Sequence, residues 1–213
     1  MIRFITFEGG DGSGKTTQVK ALKNHLIARG KSCISTREPG GTSLGRLIRQ
    51  ALLEVGSQPI TSPAELFLYL ADRAQHMQEI ILPALERGKV VLCDRHTDST
   101  LAYQGYGRGI DLGLLRNLND IANRGIRPDL TLLFDCPVEI GLSRTTQRQS
   151  QAATPRSRED RFEREKIEFH EKVRMGFLEL AREEPQRFRI IDATRSAAEV
   201  GREIKNIIDR ELT

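Results

Sequence analysis

Gly9-Gly10-Asp11-Gly12-Ser13-Gly14-Lys15-Thr16 decides how this chain is read. It fits the spacing G-x-x-x-x-G-K-[ST], and its flanks fit as well. Before it runs Ile2-Arg3-Phe4-Ile5-Thr6-Phe7, a short β-rich apolar run that reads as a buried strand. After it, Val19, Leu22, Leu26 and Ile27 recur at helical spacing up to a stop at Gly30. Strand, glycine loop and helix in that order mark a nucleoside triphosphate site. The glycines let the backbone curl until successive N–H groups converge on an oxyanion, and the new helix adds its positive end. Gly10, Asp11, Gly12, Ser13, Gly14, Lys15, Thr16 and Thr17 are the candidate phosphate-binding residues. Lys15 can reach the β- and γ-phosphates, and Thr16 can offer its hydroxyl to Mg²⁺.

Outward from the loop, strand and helix signals alternate to the end, which predicts an α/β fold with a mostly parallel sheet. Ser32–Thr36 reads as a second strand, followed by the loop Arg37-Glu38-Pro39-Gly40-Gly41 and a helix from Ser43 carrying Leu44, Leu47, Ile48, Ala51 and Leu52. Ser62-Pro63-Ala64-Glu65 has the form of a capping box opening a helix that buries Leu66, Leu70, Ala74, Met77 and Ile81. Pro83 predicts a kink or break near its end. Tyr69 and Arg73 lie one turn apart and share a face. Lys89–Cys93 and Leu130–Phe134 are near-continuous apolar runs, the pattern of strands buried on both faces, and the first delivers Asp94-Arg95-His96 to the carboxyl end of the sheet. Ser99 and Tyr103 follow at i and i+4. A helix is predicted over Asp111–Asn123, a long one over Ser157–Glu184 with Phe162, Phe169, Val173, Phe177 and Leu180 inward, a last strand over Phe188–Ile191 and a closing helix over Ala197–Leu212.

Bulk properties narrow the class. A length of 213 residues suits one domain, and 38% hydrophobic with 29% charged residues suits a soluble globular chain. The net charge of +4 fits nucleotide phosphates as well as nucleic acid, and at 5% aromatic content no basic stripe with interleaved aromatics stands out. No apolar run is long enough to span a membrane, and the immediate opening strand leaves no room for a signal peptide. Cys33, Cys93 and Cys136 lack metal-ligand spacing and read as reduced core thiols of a cytoplasmic protein.

Gln147–Pro155 is polar and contains proline, and arginines flank it at Arg144, Arg148, Arg156, Arg158 and Arg161. Beside a phosphate site, this reads as an arginine-rich lid over about 144–161 within a single domain, 1–213. The guanine-reading N-K-x-D is absent, and a large ATPase machine needs more chain. Small size with such a lid suits a nucleoside monophosphate kinase.

Several segments then agree in order: Glu8 to Thr17, Thr36-Arg37-Glu38-Pro39-Gly40-Gly41, Asp94-Arg95-His96, Ala102-Tyr103-Gln104-Gly105, Arg127-Pro128-Asp129-Leu130 and Asp160-Arg161-Phe162-Glu163. Through them the chain resembles the thymidylate kinases along nearly its whole length, in the bacterial-type subgroup with the arginines in the lid. The resemblance implies a P-loop nucleoside monophosphate kinase fold with a central five-stranded parallel sheet. It implies phosphorylation of thymidine 5′-monophosphate by ATP with Mg²⁺, toward the triphosphate used in DNA replication, and a homodimer in the cytoplasm with neither nucleic acid nor membrane as partner. By the same resemblance, Arg37 and Arg95 clamp the acceptor phosphate and Asp94 holds Mg²⁺ through water, the alternative for Asp94 being a helix cap or a partner of Arg95. Asp11 takes the 3′-hydroxyl and Tyr103 crowds the 2′ position. Tyr69 stacks on the base with Phe67 as competitor, Arg73 reads a base carbonyl, Ser99 or Thr100 reads the N3 edge, and Gln104 lines the substrate site. One subgroup carries an arginine inside the loop where this chain has Gly12. The transition-state arginine then falls to the lid, with Arg148 the best match, Arg156 and Arg158 competing, and Arg144 a further lid candidate.

Overall fold

The computed structural model describes residues 2–53, 60–150, 162 and 165–211, with the side chains at 148 and 149 outside that set. Five strands form one sheet: β1 (Phe4–Gly9), β2 (Cys33–Arg37), β3 (Val90–Asp94), β4 (Leu130–Asp135) and β5 (Phe188–Asp192). Their spatial order is β2-β3-β1-β4-β5, and every neighbouring pair is parallel. Asp94 stands in register with both Phe7 and Arg37. The chain therefore leaves β1, β2 and β3 at one edge, delivering the glycine loop, the Arg37 turn and Asp94-Arg95-His96 side by side. This is the carboxyl edge where open α/β sheets bind ligands.

The helices are α1 (Lys15–Ala28), α2 (Ser43–Leu53), α3 (Ser62–His76), α4 (Leu82–Glu86), α5 (Thr97–Thr100), α6 (Leu112–Asn123), α7 (Val138–Ser150), α8 (Ile167–Glu183) and α9 (Ala197–Glu211). Ile5 and Phe7 of β1 pack with Leu92, Leu132 and Phe134 against Val19, Leu22 and Leu26 of α1 and Val200, Ile204 and Ile208 of α9. That face is mostly apolar, with buried Gln18 of α1 donating to the Ala197 carbonyl of α9 (2.8 Å). The opposite face of β1 carries Phe4, Thr6 and Glu8, all buried; it meets α5 and α8, and Phe4 packs with Met77, Ile81 and Ala84.

Several elements differ from their sequence reading. The capping box does not form: Thr61 is the cap residue of α3 and makes no side-chain cap, and Glu65 turns inward to Gln104 and Arg108. On α3, Ala74 is exposed, and the buried stripe is Glu65, Leu66, Asp72, Arg73 and His76, charge where apolar periodicity was expected. Near Pro83 the chain widens into a π-type turn, Met77–Ile81, before α4, and a second such turn, Leu101–Gly107, absorbs the glycine-rich segment after α5. Ile27, Leu44 and Leu47, apolar positions on α1 and α2, are exposed. The segment Gln147–Ser150, read as loop, continues α7. The helix α8 begins at Ile167, after an extended Lys166 (φ −65°, ψ 153°), and residues 157–161 of the expected long helix lie outside the described residues.

The start of α7 presses on the phosphate loop. A Cβ on Gly12, which sits at φ 72°, would overlap the carbonyl oxygen of Gly141, and one on Gly141 would overlap the carbonyl of Asp11. No side chain fits at Gly12, which accounts for the missing loop arginine. Both obstructions are backbone atoms and cannot swing aside. We therefore expect Gly141→Ala to destabilise the protein by about 1–3 kcal/mol through overpacking, although alanine is favoured by ~1 kcal/mol in a free helix. Urea unfolding checks this, and a variant as stable as the parent would refute the close approach.

Candidate functional site

The loop after β1 closes on itself in the way its glycines allow. Gly14 takes φ 91°, and α1 starts with no side-chain cap and no acidic residue in its first turn, so no side chain competes with an anion for its leading N–H groups. The Lys15 ammonium folds back onto the loop, donating to the carbonyls of Gly9 (2.9 Å) and Gly10 (2.6 Å) and to Ser13 Oγ (3.0 Å). Burial, then the neighbouring Arg95 charge, bring its pKa down to about 8. Ser13 Oγ donates to Gly10 O (2.8 Å). Thr16 Oγ1 donates to Asp94 Oδ2 at 2.6 Å, pairing the hydroxyl and carboxylate expected at a Mg²⁺ site. Both are hard oxygen donors at the phosphate end, and they fit that ion.

A cleft of about 330 Å³ runs from this loop past Arg37, Asp94 and Arg95 to Tyr69, Arg73 and Phe162. Asp11, Ser99, Thr100, Tyr103, Gln104, Arg144 and Thr17 line it too. Arg95, at φ 69°, holds a left-handed conformation that side chains rarely adopt. Its guanidinium donates to Gly9 O (2.9 Å), Ser99 Oγ (3.2 Å) and Asp11 Oδ1 (2.5 Å). Its Nε–H and one Nη2 hydrogen face no protein acceptor among the described residues. Burial works to raise the Asp11 carboxyl, but Arg95 and Lys15 hold it below the usual range, and Tyr103 donates to its second oxygen at 3.1 Å.

Arg73 is 1% exposed. It donates from Nε to Glu38 (2.8 Å), from Nη1 to Thr100 Oγ1 (2.8 Å) and Asn119 Oδ1 (2.6 Å), and from Nη2 to the His96 carbonyl (3.0 Å). One Nη2 hydrogen is left over. Glu38 Oε1 also accepts from Nδ1 of His76 and of His96, each at 2.9 Å. Burial alone would raise the Glu38 carboxyl, but those histidines and the Arg73 guanidinium hold it well below the usual carboxylate range. Burial keeps His96 below the ordinary imidazole value.

The cleft thus gathers all the loop residues except Gly10, together with Arg37, Tyr69, Arg73, Asp94, Arg95, Ser99, Thr100, Tyr103, Gln104 and Arg144. Phe67 is 61% exposed and does not line it, whereas Tyr69 does. Ser99 gives its proton to Glu8 (2.6 Å), so Thr100 is better placed to meet a ligand. Gln104 gives its amide to Glu65 (2.8 Å). Arg144 donates to the carbonyls of Ala193 (2.8 Å) and Thr194 (3.3 Å). Arg156 and Arg158, most of the expected lid, and the Arg148 side chain lie outside the described residues. The sequence reading missed Phe162 as a cleft residue, counting it as core. Its ring meets Tyr103 edge-on at 5.5 Å and tilts toward Tyr69 at 6.4 Å, and the signal was its place in the segment Asp160-Arg161-Phe162-Glu163. Glu38, which holds Arg73, was marked only by its place in the segment Thr36–Gly41, and Asn119 carried no local signal.

Comparison with known proteins gives one consistent answer. A family model described as thymidylate kinase matches residues 7–204. The thymidylate kinase of Desulfovibrio desulfuricans is 53% identical over 209 residues, 98% of this chain and 96% of the relative. That of Geotalea uraniireducens is 54% identical over 196 residues, 92% and 91% of the two chains. The crystal structure of thymidylate kinase from Ehrlichia chaffeensis superposes with a TM-score of 0.76 at 34% identity, covering 97% of this chain and 98% of that one. With the glycine loop, the Arg37 turn and Asp94-Arg95-His96 gathered at one sheet edge, these matches place the chain in the thymidylate kinase family.

Proposed function

We propose that the chain transfers the γ-phosphoryl group of ATP to thymidine 5′-monophosphate, forming thymidine 5′-diphosphate and ADP. The observation that carries the reading is the single cleft joining a phosphate loop to two arginines and an aromatic-lined pocket. An oxygen of the acceptor phosphate attacks the γ-phosphorus, and the bond to the β-bridging oxygen breaks. Catalysis is then positioning and charge neutralisation.

In this reading the N–H groups of the loop and Lys15 hold the β- and γ-phosphates. Thr16 and Asp94 would hold Mg²⁺, which when bound neutralises phosphate charge. Arg37 and the free edge of Arg95 grip the acceptor phosphate as planar forks. Asp11 takes the 3′-hydroxyl, and Tyr103, tied to Asp11, crowds the 2′ position and disfavours ribose. Tyr69 and Phe162 flank the base, the spare Nη2 hydrogen of Arg73 meets a base carbonyl, and Thr100 Oγ1 meets the N3 edge. Gln104 supports this wall through Glu65. The test is ADP production with ATP and Mg²⁺ on thymidine, deoxyuridine, deoxycytidine and adenosine monophosphates. Thymidine monophosphate should win clearly; equal rates on all four would sink the acceptor assignment.

We place residues 1–213 in one kinase domain with a lid at about 144–161 supplying the transition-state arginine, Arg148 first among Arg144, Arg156 and Arg158. Arg144 is the weakest of these, since carbonyls already hold it. Arg148→Ala should lower kcat by about 10³-fold with little change in the KM for the monophosphate, by analogy with arginine fingers. A wild-type kcat in Arg148→Ala, with the loss appearing in Arg156→Ala or Arg158→Ala, would reassign the role.

The protein is proposed to be a cytoplasmic homodimer. No described helix is long and apolar enough to cross a membrane, and its three cysteines are free thiols. The neighbouring helices α2, α3 and α6 leave Leu44, Leu47, Phe67, Leu114 and Ile121 exposed, which a second copy would cover. Sedimentation should give twice the chain mass, and Leu47→Glu with Ile121→Glu should halve it. A parent protein that sediments as a monomer would contradict the assignment.

A further inference from the structure

The strand that feeds the phosphate loop carries, one residue before its end, a buried carboxylate that none of the steps above uses. Glu8 is 0% exposed. Its Oε1 accepts the His96 N–H at 2.7 Å, and its Oε2 accepts the Ser99 hydroxyl at 2.6 Å. Those two contacts bracket Arg95. His96 is the next residue along the chain, and Ser99 Oγ lies under the guanidinium, accepting from Nη1 at 3.2 Å. Arg95 itself sits at φ 69°, with its own N–H on Phe7 O (3.0 Å) and Nη1 on Gly9 O (2.9 Å), the two residues either side of Glu8. A left-handed backbone at a long side chain persists only where its surroundings over-determine it.

We propose that Glu8 is a positioning residue for Arg95: it pins the backbone beyond Arg95 and the hydroxyl beneath it, so that the free edge of the guanidinium faces the acceptor phosphate. The inference rests on the clamp role of Arg95 proposed above.

Electrostatics supports it. Burial, and then Asp98 of α5, push the Glu8 carboxyl up to about 7, against the pull of Ser99, Arg95 and the His96 N–H. Lys15 of the loop and Cys93 of β3 also face it, and Asp98 is itself held by both Nη atoms of Arg187. The sign is that of a raised acid. Stability from Glu8 is full below its unfolded value of 4.5 and is lost as pH rises through about 7. An ionised Glu8 therefore opposes folding while its charge favours Arg95, so the two effects separate in one variant.

Glu8→Gln keeps the shape. Its carbonyl can still accept from His96 and its amide can donate to Ser99, but the charge is gone. With the full chain, ATP and thymidine monophosphate, the KM for the monophosphate should rise about tenfold, equivalent to ~1.4 kcal/mol. The KM for ATP should move little, and the melting midpoint above neutral pH should hold or rise. In the parent, kcat/KM for the monophosphate should fall as pH drops through about 7; in Glu8→Gln that limb should vanish, leaving only the ionisation of the substrate phosphate near ~6. Ser99→Ala should reproduce part of the KM effect and serves if Glu8→Gln fails to fold. Equal losses toward both substrates with a lower melting midpoint, or a wild-type KM and pH profile, would overturn the proposal. Arg95→Lys reports on the clamp separately: a wild-type KM there would remove the clamp reading and this inference with it, whereas a raised KM beside an unaffected Glu8→Gln would remove the inference alone.

Discussion

Arg73 and Glu38 form an ion pair in which each side chain is 2% exposed, and most of the acceptor half depends on it. Removing two charges from water costs several kcal/mol per ion, which only good geometry and complete hydrogen bonding offset. Here four of the five guanidinium hydrogens and both carboxylate oxygens are engaged. The partners come from five places: the turn after β2, α3, the segment after β3, α5 and α6. Any shift of one against the others strands a buried charge, at about 3–5 kcal/mol when one partner of such a pair is lost. Those elements also carry Arg37, Tyr69, Arg95 and Thr100. What holds the interior together thus also spaces the residues that face the cleft.

The phosphate half works by the opposite means. Its recognition groups are backbone N–H bonds at an uncapped helix start, set by glycine conformation and by the close approach of Gly141 rather than by side-chain partners. Its lysine, Lys15, rests on the carbonyls of Gly9 and Gly10 and can exchange those neutral acceptors for phosphate oxygens. A backbone cradle reads any triphosphate, so selectivity has to come from the side-chain half. The apolar face of the sheet, with α1 and α9, supports both halves and contributes no cleft side chain beyond the start of α1.

This division explains what could be read in advance. The loop, all five strands and the order of elements were legible because their signals are local: glycine spacing, apolar runs and turn residues within a few positions. The networks were not. Arg73 bonds residues 23 to 46 positions away, and Glu8 bonds residues 88 and 91 away, so nothing near either one announces its partners. Glu65 shows how the local rule fails. Ser62-Pro63-Ala64-Glu65 has the spacing of a capping box, yet buried Gln104 and half-buried Arg108 draw the carboxylate inward, away from a solvent-exposed helix start. Period alone puts Ala74 in the core, yet apart from Leu66 the positions buried on α3 are polar.

The turn Pro39-Gly40-Gly41 makes the same point from the other side. Read alone, its glycines mean only a tight loop, and Gly40, at φ 113°, does need that freedom. Gly41 does not; a Cβ there would come within 2.5 Å of the His76 ring and 2.8 Å of Thr36 Oγ1, atoms already bonded to each other. Gly45 is likewise closed off by the Asp72 carboxylate, whose Oδ1 accepts the Gly40 N–H at 3.0 Å. Burial, then the nearby Glu38 charge, raise the Asp72 carboxyl to about 6. Gly41 of the turn and Gly45 of α2 are therefore small because buried polar side chains lie directly behind them, not because the backbone turns. The turn that presents Arg37 is shaped by the network beneath it, and a glycine pattern that looks like loop chemistry is the outer surface of a packed polar interior.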